Sequence, residues 1–240
     1  MDGEDNRMTR KAWIIVVAAC LVLAFAAGAQ QAELKYAVAA PWGATVFGDV
    51  GGLDKIVADN FEIAEKGPGE VLLRSSNDRG KIASTSEGIA FYYREVPATA
   101  DFELTAVAAP SAFAKNNQVS FGIMLRDKVF ANEFVKENLG SYMAVGPVNL
   151  ANAVVQYYFQ RTSEGLAKKM DVVKSAPVAA GSSYALKLAK KGGIYTLGFG
   201  DEEPVVLDGF PAFAGELLYV GLFTSRNATV SFSQVKFEAK

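Results

Sequence analysis

Histidine is absent from all 240 residues, and cysteine occurs once, at Cys20. Without histidine the chain lacks the side chain best suited to proton transfer near neutral pH and the commonest transition-metal ligand. Serine–histidine–acid triads, histidine–zinc sites and histidine acid/base pairs are therefore excluded. A lone cysteine rules out an internal disulfide. An excess of either charge is missing too: 24 basic residues stand against 26 acidic ones, and the two signs are interspersed. The chain has no basic cluster of the kind that nucleic acid or an anionic membrane surface attracts.

One long apolar run is present. Ala12 to Ala29 is uncharged, follows Arg10 and Lys11, and ends in Ala27-Gly28-Ala29, the basic, apolar, small-residue order of a secretory signal peptide. Residues 1–29 are read as that leader, with translation starting at Met8 because Met1 to Arg7 is acidic. Two readings compete with cleavage after Ala29. The run could be kept as a membrane anchor, or Val17-Ala18-Ala19-Cys20 could be a lipobox that places a lipid anchor on Cys20. Alanine and glycine thin the run toward its end, and nine largely apolar residues follow Cys20 where a lipoprotein has a polar tether. Cleavage at Ala29 is therefore expected. The mature chain then has no cysteine and no membrane span, and its location is periplasmic or secreted.

Beyond the leader, short apolar and β-branched segments recur between turn sequences such as Lys66-Gly67-Pro68-Gly69 and Lys191-Gly192-Gly193, a pattern of antiparallel strands. Strands are expected near Phe61 to Ile63, Val71 to Arg74, Lys81 to Ser84, Gly88 to Val96, Asp101 to Ala109 and Gln118 to Arg126. Others are expected near Tyr142 to Gly146, Val154 to Arg161, Leu166 to Met170, Ser183 to Lys190, Ile194 to Phe199, Leu217 to Phe223 and Ala228 to Phe237. Alternation is cleanest where Val119, Phe121, Ile123 and Leu125 share one face and Ser120, Gly122, Met124 and Arg126 the other. In the last strand, Val230, Phe232, Val235 and Phe237 stay on one side only with a one-residue slip, which a bulge supplies. Lys128 to Leu139 has the spacing of a short helix, with Asp127 as N-cap and Gly140 as stop, and reads equally well as a long loop. The expected division is a leader at 1–29, an N-terminal segment at 30–50 and one β-sandwich at 51–240.

The segments Gly80 to Thr85, Gly88 to Tyr93, Asp101 to Ala106, Asn117 to Asp127, Phe199 to Pro204 and Tyr219 to Ala228 resemble, in the same order, the concanavalin-like (LamG-like) β-sandwich modules found beside bacterial pectate lyases and other secreted polysaccharide-degrading enzymes. The resemblance implies an all-β jelly roll of two curved antiparallel sheets, with a concave face able to hold an extended glycan. Its motifs are strands and turns, none of them catalytic.

Enzymatic function finds no support. Glycoside hydrolysis needs two facing carboxylates, and sandwich glucanases of similar architecture carry theirs on one strand in a Glu-x-Asp-x-x-Glu pattern that does not occur here. Asp101, Glu103 and Asp201-Glu202-Glu203 read as solvated surface. A glycan site needs aromatic rings for pyranose faces and planar polar groups for hydroxyls. Tyr92 with Arg94, Met124 with Arg126, and Gln156 with Tyr158 alternate on three strands in that manner. Gly122 and Gly221 could leave a furrow beside them, or could relieve crowding where the sheet bends. Arg126-Asp127 and Arg226-Asn227 could rim such a groove, or each arginine could pair with an acid such as Asp127 or Glu95. No cofactor is required, although Asp49, Asp54 and Asp59 carry the oxygen ligands of a structural calcium site without EF-hand spacing. The expectation is a non-catalytic exported module with a glycan or an envelope protein as partner. Its alternative is a structural or assembly subunit of the periplasm or of an exported filament, such as a flagellar sheath component.

Overall fold

Alternating side chains let a strand bury one face at a time, and the chain uses this to build two layers around a shared core. The computed structural model describes residues 32–82, 86–113, 119–150, 153–161, 167–173, 178–208 and 213–240, with side chains for all but 149–150, 153–161 and 167–173. The leader, Cys20 and the cleavage site at Ala29 lie outside the described residues. Within them no helix is long and apolar enough to cross a membrane.

The strands are β1 (Gly43–Gly48), β2 (Phe61–Gly67), β3 (Glu70–Ser75), β4 (Gly88–Pro97), β5 (Phe102–Phe113), β6 (Val119–Arg126), β7 (Glu133–Phe134), β8 (Tyr142–Leu150), β9 (Ala153–Arg161), β10 (Ala167–Val173), β11 (Tyr184–Lys191), β12 (Ile194–Phe199), β13 (Val205–Leu207), β14 (Leu217–Ser225) and β15 (Ala228–Ala239). The larger sheet is ordered β10-β9-β8-β6-β14-β4-β1-β7, the smaller β13-β12-β11-β5-β15-β3-β2. Among the described residues every pairing between these strands is antiparallel except β1 with β7. Val119, Phe121, Ile123 and Leu125 enter the main core as alternation requires, beside Leu104, Leu188, Leu222, Val230 and Phe232. Each such burial contributes about 1.5–3 kcal/mol. The slip in the last strand is present: Ser233 faces Val107 and Lys236 faces Thr105, so three steps on β15 match two on β5.

Two expectations need correction, and of the two readings of 128–139 the loop holds. The sandwich takes in residues before 51, since β1 pairs along its whole length with β4 and Ala37 bridges Ala64. Lys81 and Ile82 are irregular rather than extended. Residues 128–139 hold no helix: Asn132 and Asn138 take φ of 51° and 56°, a conformation that ends a right-handed helix, and β7 is the one regular piece.

That 127–141 segment packs on the outer face of the larger sheet. Val129, Phe130, Val135 and Leu139 meet Phe47, Phe91, Met124, Tyr142 and Phe223, making a second, smaller core. Arg126 holds both of its ends, donating from Nε to the Lys128 carbonyl at 2.9 Å and from Nη2 to the Leu139 carbonyl at 2.7 Å. The same Nη2 donates to Glu87 Oε1 at 2.6 Å, and both side chains of this ion pair are wholly buried. The guanidinium also lies 4.8 Å from the Phe47 ring centre and 5.4 Å from that of Tyr142. In mid-segment the Thr45 hydroxyl donates to the Phe130 carbonyl at 2.6 Å and accepts from the Asn132 N–H at 2.9 Å. The Tyr36 hydroxyl donates to Asn132 Oδ1.

Candidate functional site

Tyr92 and Arg94 share one face of β4, and that face is turned toward the smaller sheet. Tyr92 is only 2% exposed and belongs to the main core. Trp42, just before β1, stacks on it with ring centres 4.5 Å apart and planes 15° from parallel, and meets Phe237 of β15 edge-on at 6.0 Å. The Arg94 guanidinium lies 4.9 Å from the Phe237 ring and 5.4 Å from that of Trp42. Beside this cluster a cleft of about 490 Å³ opens, walled by Trp42, Tyr92, Glu65, Glu70, the Gly67-Pro68-Gly69 turn and Ala39 to Pro41. Glu65 Oε1 accepts from the Tyr92 hydroxyl at 2.9 Å and from the Ala39 N–H at 3.2 Å. The Glu65 N–H donates to the Ala37 carbonyl at 2.8 Å. The strand is thus tied to the segment that carries Trp42.

Sequence reasoning missed Trp42, Glu65 and Glu70. Ala39-Ala40-Pro41-Trp42-Gly43 has no alternation to mark it as a wall. A signal was nonetheless available: of two tryptophans, the other is Trp13 inside the expected leader.

Of the remaining candidates, those whose side chains are described do not line this cleft. Met124 and Arg126 are fully buried under the 127–141 segment and serve as its seat. Gly122 and Gly221 are buried as well. A Cβ on Gly122 would stand 2.0 Å from the Val145 carbonyl oxygen, and one on Gly221 2.0 Å from that of Tyr92. These glycines admit a neighbouring backbone, so of the two readings the relief of crowding holds and no furrow opens at them. Gln156 and Tyr158 pair in register with Pro147 and Val145, and their side chains lie outside the described residues. Arg126 pairs with Glu87 and not with Asp127 or Glu95. Asp127 instead accepts from the Ser141 and Ala214 N–H groups at 2.7 and 3.2 Å. Arg226 and Asn227 both bind Asp78, through its carbonyl and its carboxylate respectively.

The three aspartates proposed for calcium are not brought together. Asp54 pairs with Lys55 at 2.9 Å, Asp49 lies 3.9 Å from Arg79, and Asp59 offers its backbone carbonyl to Arg74 at 2.7 Å. Among the described residues no three acidic, histidine or cysteine side chains gather as a metal would need. Of the acids read as surface, Asp201, Glu203 and Glu103 are exposed, and Glu103 pairs with Lys187 at 2.7 Å.

Burial holds four phenols, Tyr36, Tyr92, Tyr93 and Tyr195, above the usual tyrosine range. At Tyr92 the hydrogen bond to Glu65 and the charge of that carboxylate push the same way. A raised folded value favours the neutral phenol, so this stabilisation is complete below the unfolded tyrosine value of about 10 and is lost as pH rises beyond it. In an ultraviolet titration, some of the nine tyrosines will ionise late, together with alkaline unfolding. Ionisation of all nine in the folded chain near pH 10 would contradict the burial of these rings.

Comparison with known proteins matches residues 42–141 to the family model described as the pectate disaccharide-lyase N-terminal domain. The chain is 32% identical over 216 residues to pectate lyase L of Thermoclostridium stercorarium, a match that takes in 89% of this chain and 16% of that protein. Among solved structures it is similar to lectin II from Ulex europaeus, with TM-score 0.52, 10% identity and coverage of 75% of this chain and 91% of the lectin. It is likewise similar to the metal-free lectin I-B4 from Griffonia simplicifolia, with TM-score 0.51, 13% identity and coverage of 82% and 93%.

Proposed function

Because the chain carries a concanavalin-like β-sandwich of the kind found beside bacterial pectate lyases, we propose that it is a non-catalytic, exported carbohydrate-binding module that seats a glycan in the Trp42 cleft. The observation that carries this reading is the Trp42–Tyr92 stack at 4.5 Å on the wall of a cleft that also presents Glu65 and Glu70. Pyranose rings offer C–H faces to aromatic rings, and their hydroxyls donate to carboxylates. An aromatic wall with a few fixed polar groups is the make-up of a small-ligand site, and the volume lies in the range such sites occupy. Support for export is the uncharged apolar run Ala12 to Ala29 behind Arg10 and Lys11.

Isothermal titration of the chain against a panel of plant and cell-envelope glycans tests this. At least one polymer will bind, and Trp42→Ala will weaken that binding at least about tenfold, the loss of roughly 1.4 kcal/mol of contact. A thermal melt of the variant separates lost contact from lost fold. A folded chain that binds no glycan overturns the reading. Release of unsaturated product from pectate would overturn its non-catalytic part.

A further inference from the structure

The charge on the cleft wall decides which glycans it admits. Glu65 and Glu70 are the acidic side chains that line it, and no lysine or arginine lines it with them. Of the three cations close by, two are engaged elsewhere and the third is held against the wall's own Trp42. Lys66 pairs with Glu62 at 2.8 Å. Arg74 reaches the carbonyls of Asp59 and Ala58 at 2.7 and 2.6 Å. Arg94 lies over the rings of Phe237 and Trp42. Glu65 is also fixed in place by Tyr92 and Ala39, so it cannot swing away from an incoming ligand without giving up both bonds.

Resting on the reading of this cleft as a glycan site, we propose that it takes an uncharged pyranose chain and rejects a polyuronate. A neutral sugar hydroxyl donates to Glu65 or Glu70 and gains a charge-assisted hydrogen bond. A uronate carboxylate offers the wall no donor and brings a like charge against two carboxylates, one of them, Glu65, held by its bonds to Tyr92 and Ala39, the arrangement by which binding sites exclude a wrong partner. A module joined to a pectate-cleaving enzyme would then hold that enzyme on a neutral neighbour of its substrate.

The test is titration of the full chain with neutral polymers (galactan, glucomannan and arabinan) and with polygalacturonate, at low and at high salt. At low salt, polygalacturonate is expected to bind at least about tenfold more weakly than the best neutral polymer. Glu65→Gln with Glu70→Gln will narrow that gap, since an amide oxygen still accepts from Tyr92 but carries no charge. Tight, Trp42-dependent binding of polygalacturonate would overturn the choice of neutral glycan and leave the glycan-binding reading standing. A gap unchanged by the double substitution would overturn the electrostatic basis. Failure of the folded chain to bind any polymer would overturn the underlying reading itself.

Discussion

Glu87→Gln will lower the unfolding free energy by about 3–5 kcal/mol, and Arg126→Met by a similar amount. Both side chains of this ion pair are completely out of solvent, so removing either partner leaves a charge buried without its counter-ion. Arg126 has more to lose than the pair, because its guanidinium also holds the Lys128 and Leu139 carbonyls. Its loss will free the 127–141 segment from the outer face and expose Phe47, Phe91 and Phe223 beneath. Denaturant unfolding checks both variants, and the double variant completes the cycle. Glu87→Gln with Arg126→Met will be less destabilised than the two single losses added together, since no isolated charge remains. Single losses below about 1 kcal/mol would mean that the pair is not desolvated as described.

Gly122→Ala and Gly146→Ala will each cost about 3 kcal/mol or more, from backbone strain together with overpacking. The two glycines face each other where β6 and β8 touch, at φ of 155° and 157°. A Cβ would fall 2.0 Å from the Val145 carbonyl oxygen in the first case and 1.9 Å from that of Phe121 in the second. Neither oxygen is the end of a flexible side chain; each belongs to a strand in the middle of the larger sheet. Gly181→Ala is the control, with φ of 83° and nothing within 4 Å of the added carbon. It carries only the left-handed penalty of about 1–2 kcal/mol. Thermal or denaturant unfolding of the three variants separates close approach from conformational strain, and equal losses would show that the β6–β8 contact is no tighter than an exposed turn.

Local pattern made most strands legible. Val119 to Arg126 alternates without a break, and the bulge in β15 could be read from the spacing of Phe232 and Val235, because a strand that buries one face must keep its apolar residues in step. β1 and β13 were missed for the same reason in reverse: Gly43-Ala44-Thr45-Val46-Phe47-Gly48 is buried on both faces by its end, and Val205–Leu207 is a three-residue edge. In the 127–141 segment Phe130 and Phe134 stand one helical turn apart, which left helix and loop equally legible. In the structure Phe130 packs on the outer sheet face and Phe134 against the main core, and two asparagines at positive φ forbid the helix.

The candidate site was half visible. Tyr92 and Arg94 were identified from alternation, yet their meaning depended on Trp42, 50 positions earlier, and on Glu65, 27 positions earlier. Arg126 was singled out as a groove residue, and its partner Glu87 lies 39 positions away on the approach to β4. By itself the sequence determined the class of fold and the chemistry ruled out, since alternation, turn residues and missing residue types are properties of neighbours and of composition. Only the tertiary structure decided which faces meet water: it closed the furrow at Gly122 and Gly221 and opened the cleft at Trp42. Burial depends on which strand lies beside which, and that is set by contacts between residues far apart in the chain.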